Sequence, residues 1–331
     1  MRRVFNSLFS IVQIEILSMQ GTHEYSGADR NQNILIDING ELLPREKAAV
    51  SVFDSGFVLG DGVWEGLRVE SGTILFLEQH LDRLYEGMHT LDFDITVTKE
   101  VLTKRLYAAL SANDMHDGVH IRLMVSRGVK STPYQDPRMT ITPPTMVIIP
   151  EYKTALPETV NKGVTLFTVH VRRGYSDVQD PTLNTHSKLN CVTACIQAAK
   201  AGCDEALMLD PHGFVATCNS THFFIVRRGE LWTSTGDYCL DGITRRKVLN
   251  IAAAEGMTVK ERNFTLTDVY NAEEAFVTGT FAGVAPVREV DGRKIGNAER
   301  GPVVTELQSA YRRYVADYID GPGRLHASPQ D

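Results

Sequence analysis

The chain has 331 residues, with 34 basic against 41 acidic side chains for a formal net charge of -7, and 43% of its residues are apolar. That composition belongs to ordinary globular proteins, and the length allows about two domains with enclosed sites. A pI near 5.8 without a basic block excludes the electrostatic footprint of nucleic-acid binding, and no run of 18 apolar residues is available to span a membrane.

The opening residues, MRRVFNSLFSIVQIEILSMQ, join two arginines to an apolar run that Gln13 and Glu15 interrupt. With no small-residue cleavage site, and with Met19 as a second possible start, residues 1–30 read as an N-terminal extension of a cytoplasmic protein. An organelle-targeting sequence is the other reading. From Ile34 the pattern is one of strands and tight turns: ILIDING, ELLP, AAVSVFD, GVWEGLRVE and, after a Ser71-Gly72 turn, TILFLE. Residues 78–91 and 98–111 space their apolar side chains as helices do, and GVHIRLMVSRG and PTMVIIPEY return to strand patterns. Residues 31–152 therefore read as a small α+β domain, and the polar, proline-bearing stretch 153–162 as an interdomain linker.

The second half, residues 163–320, reads as a larger α/β domain. It starts with the strand GVTLFTVHVRR and the turn-rich loop GYSDVQDPTLNTH, then a helix to Lys200 that Gly202 closes. The strands EALMLD and HFFIVRRGELWTS follow, then a helix opened by Gly242-Ile243-Thr244, the strand EAFVTGT and the final helix VVTELQSAYRRYVADYI. Residues 321–331 read as a disordered tail. Five cysteines (Cys191, Cys195, Cys203, Cys218 and Cys239) form no CxxC pair, which fits a reducing compartment and no metal site.

Two turns combine small residues and hydroxyls with free backbone N–H groups: Gly242-Ile243-Thr244 and Thr278-Gly279-Thr280-Phe281. A helix N-terminus carries unpaired amides and partial positive charge, so the first suits a phosphate as well as an ordinary cap, and the second can add amides and a hydroxyl. Arg83 lies on a helix face beside Leu81 and Leu84, where it reads as solvated or as an anion ligand. Lys188 follows a polar loop and begins an apolar helix, where burial would lower its pKa and make it a nucleophile, or where it is a first-turn surface lysine. His80, His120 and His222 are scattered and read as packing or surface residues, while His186 lies two positions before Lys188.

In order, DSGFVLGDGVWEGLR, FLEQHLDRL, HIRLMVSRG, GCDEALMLDPHGFV, NSTHFFIV, DGITRRKVL, EEAFVTGTFAGVAPVREVDGRKIG and GPVVTEL together resemble the fold-type IV pyridoxal-phosphate (PLP) enzymes. That family holds branched-chain and D-amino-acid aminotransferases, (R)-amine transaminases and aminodeoxychorismate lyases, and the resemblance runs from Ile34 to Tyr318. It implies a D-amino-acid-aminotransferase-like fold, a homodimer, PLP as cofactor, and transfer of an amino group from an amino acid or amine to a 2-keto acid. By position it implies that Arg83, Ile243, Thr244, Thr280 and Phe281 hold the cofactor phosphate. Trp64 matches the aromatic wall of the substrate pocket, and GDGVWEGLR looks more like the branched-chain members. Leu59 stands where those enzymes commonly carry a carboxylate-binding tyrosine, and Arg122 either handles the substrate carboxylate or pairs structurally with Glu65.

Two positions depart from the family pattern. Thr217 replaces the glutamate that salt-bridges the pyridine nitrogen, which raises the barrier to the proton shift because a hydroxyl cannot hold the ring nitrogen protonated. The family's Schiff-base lysine falls on Asn184. Lys188, four residues on and so about one helical turn away, is the expected replacement. A PLP lyase and a catalytically silent homologue on the same fold are the alternative readings.

Overall fold

The computed structural model describes His23 and residues 25–324. Most of the N-terminal extension and the end of the C-terminal tail lie outside the described residues. Among the described residues no helix is long and apolar enough to cross a membrane.

The first half is an antiparallel six-stranded sheet carrying two helices. In spatial order its strands are Glu41–Pro44, Leu35–Ile38, Thr145–Tyr152, Val119–Ser126, Gly62–Glu70 and Thr73–Ile74. Strand periodicity sorts the side chains of the central pair. Val119, Ile121, Leu123 and Val125 enter a core with Leu81, Leu84 and Met88 of the helix Leu77–Thr90 and with Leu102 and Leu106 of Lys99–Ala112. The alternate residues face the other way, and the register pairs Trp64 with Met124, Gly66 with Arg122 and Arg68 with His120. Paired residues share a face, so one side of this sheet is apolar and the other carries chemistry.

The second half is a nine-stranded mixed sheet. Val164–Thr168 runs parallel to both Glu205–Leu209 and Gly283–Val290, and His222–Arg227 pairs antiparallel with Glu274–Gly279. The helices Ile243–Ala254 and Pro302–Asp320 bury Val248, Ala252, Val304 and Leu307 against it. The two-residue turn of HFFIVRRGELWTS works because Arg228 (φ 56) and Gly229 (φ 73) both adopt the left-handed conformation that a tight hairpin needs. Residues 153–162 hold the two-residue strand Thr154–Ala155 and the short helix Pro157–Asn161.

Two strand expectations fail. AAVSVFD forms no strand: its pairing stops at the isolated bridge between Asp54 and Val129, and Val50, Val52 and Phe53 stay exposed, so its alternation marks a surface rather than a core face. TILFLE is a strand only at Thr73–Ile74, because Phe76 turns the chain through φ 53 and the next helix starts at Leu77.

The last helix is anchored by a buried carboxylate. Glu274 accepts from the amides of Val303 (3.0 Å) and Val304 (2.9 Å) at its first turn. Removing such charge-assisted bonds costs about 1–3 kcal/mol. Glu274→Ala should therefore lower the unfolding free energy by that amount, read in urea titration as a lower midpoint at unchanged m-value.

Candidate functional site

The chemical face of the first sheet meets the second half across a cavity of about 120 Å3. Trp64, Arg83, His120, Arg122 and Lys153 line it from one side, and residues 220–222, 240, 242–244 and 277–283 line it from the other.

Arg83 is positioned from within the core. Glu65 points to the apolar face and is almost fully buried, so burial alone would raise its pKa. The charge of Arg83 and the hydrogen bonds from His80 and Arg83 outweigh that burial and hold Glu65 below its usual range. Arg83 donates Nε to Glu65 Oε1 (2.8 Å) and Nη2 to Oε2 (2.7 Å), and His80 Nδ1 lies 2.7 Å from Oε2. Burial keeps His80 below its normal pKa, so the ring is neutral and donates to the carboxylate. The remaining arm of Arg83 reaches across the seam to the Asp241 carbonyl at 2.6 Å.

Opposite Arg83, the helix Ile243–Ala254 opens on Gly242, which has no side chain to cap the first-turn amides. The glycine is required there, because a Cβ would sit 2.2 Å from His222 Cε1. Burial lowers the His222 pKa to about 4, so its neutral ring donates Nε2–H to the Leu240 carbonyl at 2.7 Å. Thr278 is fully buried, lines the cavity and has a hydroxyl without a hydrogen-bond partner. A guanidinium, uncapped amides, the Thr244 and Thr280 side chains and an orphaned hydroxyl together fit a phosphate ester.

The loop after Val164–Thr168 is strapped to the strand Gly62–Glu70. Trp64 N donates to Asn184 O (2.9 Å), Asn184 Nδ2 donates to Trp64 O (2.7 Å), and His186 N donates to Gly62 O (2.9 Å). Asn184 therefore lines the cavity with its amide engaged, and Lys188 lines a second cavity of about 210 Å3. Trp64 links the two, since its ring centroid is 5.6 Å from Lys188 Nζ and 3.8 Å from the Arg122 guanidinium carbon. Burial, with Arg173, Arg83 and Arg122 adding to it against Cys191, lowers the Lys188 pKa to about 8.

Of the residues singled out in the sequence, Arg83, Trp64, Arg122, Ile243, Thr244, Thr280 and Phe281 meet in the first cavity. Thr217 and Leu59 line neither cavity: Thr217 Oγ1 donates to the Thr221 carbonyl at 2.8 Å, and Leu59 is 38% exposed at the end of the helix Ser55–Leu59. Arg122 does not pair with Glu65; it stacks on Trp64, because the two side chains project from opposite faces of the sheet. Sequence reasoning missed His120 and His222, read as packing or surface residues, and also His23, Lys153 and Thr221, all of which line the first cavity. For His120 the signal was present, since it alternates with the core residues Val119 and Ile121. The others depend on contacts between the two halves.

The family model described as Amino-transferase class IV matches residues 62–290. The chain belongs to the class IV aminotransferase family. The branched-chain-amino-acid aminotransferase of Pseudomonas aeruginosa is 34% identical over 310 residues, covering 91% of this chain and 97% of that one. Branched-chain-amino-acid aminotransferase-like protein 2 of Arabidopsis thaliana is 37% identical over 293 residues, or 88% of this chain. This chain spans about half (52%) of that relative's length. Among solved structures, a T.th. branched-chain amino acid aminotransferase with pyridoxamine 5'-phosphate superposes with a TM-score of 0.81 at 30% identity, covering 86% of this chain and 94% of the other.

Lys188 should lose its charge as pH rises through about 8. Trinitrobenzenesulfonate labelling followed by peptide mass spectrometry should show half-maximal Lys188 reactivity near that pH, with exposed lysines still gaining reactivity above it.

Proposed function

We propose that the protein is a PLP-dependent aminotransferase, moving an amino group from an amino acid or amine to a 2-keto acid. The observation that carries this is the cavity in which Arg83, held by Glu65 and His80, faces the Gly242–Thr244 and Thr278–Phe281 turns. When bound, PLP supplies a carbonyl that condenses with amines and a ring that accepts electron density.

In this reading Arg83, the Ile243 and Thr244 amides, Thr280 and the Phe281 amide hold the phosphate. Lys188 supplies the amine and moves the proton. Its depressed pKa keeps part of it unprotonated near neutrality, and its place against Trp64 puts it beside the cavity. Trp64 and Arg122 form the substrate wall, where the Arg122 guanidinium, free of any carboxylate within ion-pairing distance among the described residues, suits the substrate carboxylate. Thr217 acts at one remove: it fixes Thr221, which lines the cavity and whose hydroxyl donates to Glu205 at 3.0 Å. The similarity to branched-chain aminotransferases supports an apolar amino donor.

We place the site between two domains, 31–152 and 163–320, joined by residues 153–162, in a cytoplasmic homodimer. The five free thiols support that compartment. Val52, Phe57 and Leu59 on one segment, and Leu189, Val192 and Ile196 on one helix, are exposed apolar side chains suited to a second copy. Leu59 would belong to that contact. Light scattering should report twice the chain mass, and Phe57→Asp should shift it toward the monomer.

Purified protein mixed with PLP should develop a visible absorption band that borohydride fixes onto Lys188, as peptide mass spectrometry will show, and Lys188→Ala should lack it. Arg83→Met should weaken PLP binding roughly ten- to a hundredfold, the worth of charged hydrogen bonds. Amino-group transfer should require a keto acid. Ammonia or keto-acid release without an acceptor would instead identify a lyase, and absence of any adduct would identify a silent homologue.

A further inference from the structure

The second cavity has a charge imbalance that the proposed reaction does not use. Arg173 lines it, is 8% exposed, and spends its donors on neutral partners: the carbonyls of Tyr238 (3.1 Å) and Pro181 (3.3 Å) and the Cys191 sulfur (3.4 Å). A buried guanidinium without a carboxylate partner is costly unless something else supplies negative charge. Lys188 lines the same cavity, likewise with no carboxylate within ion-pairing distance among the described residues, and Arg172 stands at its exposed edge. The one carboxylate in the described lining is Asp180, whose Oδ1 already accepts from the amide (2.9 Å) and hydroxyl (2.7 Å) of Thr182. Three cations therefore face one carboxylate in a space of about 210 Å3, enough for a small anion.

We propose that this cavity binds a small oxyanion of the phosphate type, which pairs with the Lys188 ammonium and holds the amine out of reaction. The free donors that would meet it are Lys188 Nζ, the Arg172 guanidinium and the side-chain amide of Asn190, whose oxygen is already taken by Cys191 N at 2.7 Å. The other charged or titratable groups acting on Lys188 are Arg173, Arg83, Arg122 and Cys191. Of these, the three arginines disfavour its charged form, so an added anion would act in the opposite direction and retain the proton. Anion binding itself stands on the cavity alone. Its regulatory consequence rests on Lys188 being the reactive amine.

The test is amine labelling of the full chain, with Lys188 followed by peptide mass spectrometry at pH 8 in 0 and 50 mM inorganic phosphate, ionic strength being balanced with a bulky organic buffer anion. Phosphate should slow Lys188 labelling at least threefold and leave exposed lysines unchanged. The slowing should persist in Arg83→Met, which removes the phosphate ligand of the first cavity, and should shrink in Arg172→Met, a change at an exposed position that leaves the buried Arg173 contacts in place. No slowing in the wild type would overturn the proposal. Slowing that disappears in Arg83→Met would assign the effect to the first cavity and overturn it equally. Because labelling needs no PLP, failure of the aminotransferase reading would show separately, as absence of a PLP adduct.

Discussion

The interaction on which the site depends is the buried Glu65–Arg83–His80 network. Glu65 interrupts an otherwise apolar strand face, and an unpaired carboxylate there would be expensive. Breaking a buried pair of this kind costs about 3–5 kcal/mol because the remaining charge is stranded. Two side chains from one turn of the helix Leu77–Thr90 satisfy it, and this fixes the Arg83 guanidinium with one arm free to cross the seam to Asp241. The first half of the chain thus presents a rigid cation to the second, whose helix Ile243–Ala254 begins opposite it. The core carboxylate is what gives the contact between two sheets a cavity suited to an anion.

A second constraint is backbone pairing of the 184–186 loop with the strand Gly62–Glu70, which fixes Asn184 and Lys188 at different places around one indole. Trp64 is held by its own Nε1 bond to the Thr185 carbonyl at 3.0 Å, so the indole beside Lys188 is anchored by the same loop. Lys188 at this position is surrounded by arginines rather than by carboxylates. Burial first, and those arginines after it, lower its pKa, and the neighbouring cavity is left short of negative charge.

Much of the architecture was legible in local patterns. The helices at 77–90, 99–112 and 189–200 lie within a residue or two of their apolar periodicity, and Gly242 and Pro302 stand at helix starts as their backbone chemistry requires. AAVSVFD misleads because alternation shows only that one face is apolar, and an exposed surface meets that condition as well as a core does. Arg122 misleads for a related reason. Glu65 and Arg122 lie on neighbouring strands, but the register pairs Glu65 with Leu123, so the two charges project from opposite faces.

By itself the sequence determined the mixed α/β architecture, the two phosphate-suited turns, Arg83 and the family, because each is written in short-range spacing or in motifs that keep their order. Only the tertiary structure decided that Lys153, Thr221 and His222 share the cavity with them, that Thr217 turns to a backbone carbonyl, and that Asn184 and Lys188 open onto different cavities. These outcomes are set by sheet register and by contacts between residues more than a hundred positions apart, such as Arg83 with Asp241 and Asn184 with Trp64. Local periodicity specifies which face a side chain takes. What that face meets is specified by packing.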